Sequence, residues 1–140
     1  MTPPDPVYTR DILRLAASVP DRVTFRELDE LEWRSPTCGS RLRLKVEEAD
    51  RRVVRVTQAV EACAFGQAAA ALVAIGAPGM AREDIVGIDG RVAGWLRDGN
   101  GPAPWPGLDV LTPARAKTGR HGAILLPFRA LARWASGEEA

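Results

Sequence analysis

The sequence predicts an α+β domain, with helices packed on one face of a small antiparallel sheet of about three strands. Three observations carry that expectation: faultless alternation over 41–47, a valine-rich run directly after it, and a switch to helical spacing from Phe65 onward. Helix, then strands, then helices is the element order of a domain whose helices gather on one side of a sheet.

The elements follow in order. Pro3, Pro4 and Pro6 make residues 1–7 a stiff, disordered leader. Tyr8, Ile12, Leu13 and Leu15 fall at helical spacing, which predicts a helix over 8–17 that Pro20 stops. From Phe25 to Trp33 the pattern is mixed, and a short strand is expected near its end. Residues 41–47 read as a half-buried strand with Leu42, Leu44 and Val46 facing in. A turn over 48–51 leads to a returning strand over 52–60, with Val54 and Val56 on one face. The outer face, with Arg41, Arg43, Lys45 and Arg55, reads as solvated. An alanine-rich helix over 65–75 ends at Gly76. Short helices are expected over 81–85 and 90–97, then a surface loop through Pro102, Pro104 and Pro106. The last helix follows Gly122, with Ile124, Leu125, Phe128, Leu131, Ala132 and Ala135 on one side. Pro127 is placed to start it or to kink it.

Composition narrows the function. A chain of 140 residues fits one domain, 1–140. Nineteen basic residues against 18 acidic give a net charge of +1, which argues against a general nucleic-acid binder. No apolar run approaches the roughly 20 residues of a membrane span. Met1-Thr2-Pro3-Pro4-Asp5-Pro6 has neither a basic n-region nor an apolar h-region, so a cytoplasmic location is expected. Two cysteines, Cys38 and Cys63, make no disulfide framework. By count alone they read as small buried side chains.

Their positions read differently. Cys38 sits in a Pro36-Thr37-Cys38-Gly39 loop that enters a strand, Cys63 just before a helix, and His121 just before the last helix. A helix N-terminus offers unpaired amide donors and positive potential, a setting in which cysteines serve as nucleophiles or metal ligands. Gly39 lets the backbone approach a metal closely. Thiolate with imidazole suits zinc, copper or iron–sulfur chemistry. Structural zinc takes four ligands, and nothing in the spacing of Asp89 or Asp109 recommends either as the fourth. A Cys–His catalytic pair would lack its orienting residue. Trp33, Trp95, Trp105 and Trp134 read as core or loop anchors rather than a platform for bases. Arg115, Lys117 and Arg120 form a basic stretch, solvated or facing an acidic partner.

These residues resemble the IscU, SufU and NifU N-terminal family of iron–sulfur cluster assembly scaffold proteins. Tyr8 opens the first helix, as a tyrosine does there. Pro36-Thr37-Cys38-Gly39 is similar to the family loop before the strand hairpin. Ala62-Cys63-Ala64, followed by Gln67-Ala68-Ala69-Ala70, resembles the second cysteine segment. Arg120-His121-Gly122-Ala123-Ile124-Leu125 resembles the segment that opens the C-terminal helix. The resemblance runs from about Tyr8 to Trp134, and the long loop before the last helix is closer to SufU-like members. It implies a NifU/IscU-like fold with no catalytic turnover. It implies a transient iron–sulfur cluster, or zinc or iron, held by Cys38, Cys63 and His121, with Gly39, Ser40 and Gly122 in support. It implies a cysteine desulfurase and recipient apo iron–sulfur proteins or carriers as partners, and a possible homodimer, with no nucleic acid and no membrane.

Two departures stand against the family pattern. Its aspartate after Cys-Gly is Ser40 here, and its third cysteine, which accepts persulfide sulfur, is Gly122. Either Cys63 or Cys38 takes that sulfur, or sulfur is not received that way. The alternative reading is a degenerate, metal-free module that binds and regulates a desulfurase or another scaffold.

Overall fold

The computed structural model describes residues 8–36, 39–99 and 101–137. The expected leader, 1–7, and Cys38 lie outside the described residues.

Alternating Leu42, Leu44 and Val46 with charged neighbours build β2 (Arg41–Ala49), and the β-branched run after it builds β3 (Arg52–Glu61). The short β1 (Glu32–Arg34) joins the other edge of β2, giving the order β1-β2-β3 with antiparallel neighbours. Asp50 and Arg51 turn the hairpin with φ of 53° and 63°, the left-handed pair whose twist suits two antiparallel strands. Leu42 lies opposite Val60, Leu44 opposite Gln58 and Val46 opposite Val56, so these six share one face.

The register shifts between Glu47 and Glu48, whose partners are Arg55 and Val53, so Val54 is the extra residue of a bulge. The bulge overturns simple alternation. Val53 turns inward and Val54 is 55% exposed, rather than sharing a face with Val56.

Among the described residues five α-helices follow or precede the sheet: α1 (Arg10–Ala17), α2 (Ala64–Gly76), α3 (Arg82–Ile85), α4 (Ile88–Asp98) and α5 (His121–Ser136). Thr9 sets the start of α1, its Oγ1 accepting the Ile12 N–H at 3.2 Å. Tyr8 therefore precedes the helix and stacks on Phe65, ring centroids 5.0 Å apart. The alanines of α2 let neighbours come close on every side. α2 lies against α1, α5 and β3, and Ala68 to Ala71 have no exposure. Helix α5 also packs on β2 and α4, and its Ile124, Phe128 and Leu131 fill the core. Each large apolar side chain buried there contributes about 1.5–3 kcal/mol.

Pro127 neither starts α5 nor ends it; the helix runs through it. Proline has no N–H for the carbonyl four residues back, that of Ala123. Gly66 of α2 faces that carbonyl: a Cβ at Gly66 would stand 3.3 Å from the Ala123 oxygen. The two helices meet here because one lacks a side chain and the other a donor.

The segment after α4 is more than a surface loop. Trp105 is buried, and its Nε1 donates to the Leu72 carbonyl at 2.8 Å. A 3-10 segment, Leu108–Ala116, then buries Leu108, Leu111 and Ala114 at its three-residue period. The outer sheet face is solvated only in part. The Arg41 guanidinium lies 3.9 Å from the Phe25 ring centroid, and Arg43 Nη1 donates to the Phe25 and Leu28 carbonyls. No helix among the described residues is long and apolar enough to cross a membrane.

Candidate functional site

At the amino end of α2 the sheet, the loop before β2 and the start of α5 converge. Their described residues Gly39, Ser40, Glu61, Ala62, Cys63 and Arg120 line an open cleft of about 320 Å³. The structure thus brings together Gly39, Ser40 and Cys63, three of the residues singled out from sequence.

Cys63 is the N-cap of α2, with extended backbone (φ −66°, ψ 172°) and a side chain that makes no capping hydrogen bond. Its half-buried thiol is free. The strand-to-helix corner that holds it is tied three ways. The Gln67 N–H donates to the Cys63 carbonyl at 2.9 Å, and Gln67 Nε2 donates to the Ala62 carbonyl at 2.9 Å. Arg22 then joins Gln67 Oε1 to the Val60 carbonyl, at 3.1 and 3.0 Å. Among the described residues the thiol takes no capping hydrogen bond, and it faces the cleft.

The opposite wall is formed by Gly39 and Ser40. The Ser35 N–H donates to the Ser40 carbonyl at 3.0 Å, closing the loop, and both serines are buried. A Cβ at Gly39 would meet nothing within 4 Å, so the backbone there stands beside open space.

His121 is the first residue of α5, half-buried, with Nε2 3.2 Å from the Ala114 carbonyl and 3.0 Å from that of Arg115. Both partners are acceptors, so Nε2 carries a proton and donates to them. Gly122 follows it in the first turn. Arg120 caps α5 by its backbone, and its guanidinium has no ion pair among the described residues.

The sequence reading missed Glu61. Its Oε2 accepts from Arg41 Nη2 at 2.8 Å and Nε at 3.1 Å. Arg41 also reaches Glu32 at 3.2 Å, and Glu32 meets Arg34 at 2.6 Å. The hydrogen bond to Glu61 raises the Arg41 guanidinium above its usual range, against partial desolvation. Desolvation pushes the Glu32 carboxyl up, but Arg34 and Arg41 together outweigh it and hold it low. The available sequence signal was a carboxylate two residues before Cys63.

Among the described residues no three His, Cys, Asp or Glu side chains gather as a metal site. The donors present fit a zinc or iron ion in kind, since thiolate and carboxylate both bind these metals. They fall short of four in number.

No protein-family model matches the sequence, and no curated protein matches it either. Solved structures do. The N-terminal part of a NifU-like protein from Brucella abortus matches with a TM-score of 0.79 at 25% identity, covering 96% of this chain and 98% of that one. A candidate iron–sulfur cluster assembly scaffold of the SUF system from Fervidobacterium islandicum AW-1 matches with a TM-score of 0.77 at 14% identity, covering 92% and 96%. The chain therefore has the fold of these NifU-like and SufU-like structures over nearly its whole length.

Proposed function

We propose that this chain is an iron–sulfur cluster assembly scaffold, or an iron or zinc carrier for cluster building, with no catalytic turnover of its own. The observation that carries the reading is the free Cys63 thiol, opening at the α2 N-cap onto the cleft beside Gly39 and Ser40. The fold around it matches a NifU-like protein and a protein named as a cluster assembly scaffold of the SUF system. Cys63 and Cys38 supply thiolates, the usual cluster ligands, and His121 supplies Nδ1. Iron and sulfur are the cargo. A cysteine desulfurase gives the sulfur, apo iron–sulfur proteins receive the cluster, and all of this takes place in the cytoplasm. Two chains would pool four thiolates, enough to hold a cluster between them. With Gly122 unable to carry sulfur, persulfide is taken on Cys63 or Cys38.

The test is iron and acid-labile sulfide content after anaerobic incubation with a desulfurase, cysteine and ferrous iron. Near-equal iron and sulfide, lost in the Cys38→Ser, Cys63→Ser double variant, is the expected result. Equal loading of that double variant would end the scaffold reading.

One observation favours a second reading. The described residues bring fewer than three metal donors together, and Gly122 has no side chain. A metal-free module that docks on a desulfurase would still bind it after both cysteines are replaced, and would carry neither iron, sulfide nor zinc.

A further inference from the structure

We infer that the flank where α1 meets α2 is a contact surface for a second copy of this chain, with a two-fold axis that pairs Asp11 of each copy with Arg14 of the other. The inference does not depend on the cluster reading, because this surface contains no part of the Cys63 cleft.

An open groove of about 470 Å³ runs between α1, the second half of α2 and the 3-10 segment. Leu15, Leu72, Ile75 and Val110 give it apolar walls. Ile75 is 57% exposed, more than any other large apolar side chain among the described residues. The rest of the apolar run at that end of α2, Leu72, Val73 and Ala74, is buried. A single exposed apolar residue is ordinary, but one that joins three others in a concave wall marks a contact surface.

The rim carries both signs of charge. Asp11 and Arg14 lie three residues apart on α1, near enough for an ion pair, yet neither has one among the described residues. Together they are neutral, so a partner of one strong sign would be repelled by one of them. A second copy supplies both missing charges at once. A two-fold axis makes each contact reciprocal, so one Asp11–Arg14 pair brings its mate, and the apolar walls of both copies are covered. Such charges fix register and exclude wrong partners, while the apolar area supplies affinity. Ile75 stands about 18 Å along α2 from Cys63, at 1.5 Å per residue. This pairing is therefore distinct from any contact in which two chains share a cluster.

The experiment is sedimentation equilibrium of the full chain, with chelator and reductant present, up to about 0.5 mM. A reversible monomer–dimer equilibrium is expected. Ile75→Lys, Asp11→Lys and Arg14→Glu should each weaken it about tenfold or more, because each change is felt twice across the axis. Mixing the Asp11→Lys and Arg14→Glu chains should restore pairing, since one then presents two cations and the other two anions. That restoration also shows both variants to be folded. The Cys38→Ser, Cys63→Ser double variant should pair as the parent does. A parent that stays monomeric overturns the inference, leaves the groove to a different protein and does not touch the scaffold proposal. A dimer that the three variants leave intact, or a mixture that fails to pair, overturns it as well. Pairing lost in the cysteine double variant would move the contact to the cleft and overturn it too.

Discussion

The two ends of α2 are built in opposite ways. At the carboxyl end Trp105 closes the helix: its indole covers Gly76, and its Nε1 takes up the Leu72 carbonyl. A Cβ at Gly76 would stand 2.7 Å from that nitrogen, so glycine there is a condition of the close fit. At the amino end the cap is cysteine, which makes no capping bond, and the neighbouring space is a cleft. Serine, threonine, asparagine or aspartate would cap better. One end is optimised for stability. The other keeps a free thiol where a better cap would bring stability.

The contrast breaks most visibly at the closed end. Trp105→Ala removes a buried ring that also meets Phe128 edge-on at 5.5 Å, and should destabilise by about 3–5 kcal/mol. Urea unfolding measures this, and a loss below 1 kcal/mol would mean the indole is no plug. Nearer the cleft, Gly66→Ala places a Cβ 2.7 Å from Ala62 Cβ and 3.2 Å from Ala123 Cβ. Neither atom is the end of a flexible chain, so α2 and α5 must part, at a cost of about 1–3 kcal/mol. Metal uptake should fall with it, because Cys63 rides on the first turn of α2. Uptake and stability both unchanged would show that the helices separate freely.

At the open end Cys63→Ser should separate function from stability. Serine supplies the missing cap, worth about 0.5–1 kcal/mol, against the loss of the thiol's partial burial. Stability should hold or rise while metal and sulfide capture disappear. A clear fall in the melting temperature would make Cys63 a packing residue first.

The smallest effect is a dependence on pH at the Thr24–Glu27 corner. Thr24, by its side chain and then its backbone N–H, holds the Glu27 carboxyl below its ordinary 4.5. A carboxyl depressed in the folded state adds stability that is full above the unfolded value and lost as pH falls through the folded one. The urea midpoint should therefore drop below about pH 4.5. Glu27→Gln keeps a capping partner but does not titrate, and should flatten part of that slope. An identical slope in the variant would place the dependence elsewhere, at Glu32 first.

Much of this was legible in the sequence. Alternation over 41–47 located β2, the valine run located β3, and alanine spacing located α2, because period reports which face is buried. The Pro-x-Cys-Gly loop, the second cysteine and the segment from His121 pointed to the family whose fold the chain has. The misses have physical causes. Alternation cannot foresee the Val54 bulge, since an extra residue on one strand depends on what the partner strand does. Trp105 looked like loop because prolines surround it, yet the hollow between α2 and α5 decides its burial. Pro127 read as a start or a kink of the last helix, and the start is overturned because α5 begins at His121 and runs through it.

The sequence by itself determined the elements, their order and the kinds of atom available for chemistry, because these follow from local periodicity and side-chain type. Only the tertiary structure decided which of those atoms meet. It set Glu61 and Arg120 beside Cys63 and turned the Nε2 of His121 toward the carbonyls of the 3-10 segment. Contacts between distant segments depend on how whole faces pack, and no single segment encodes that.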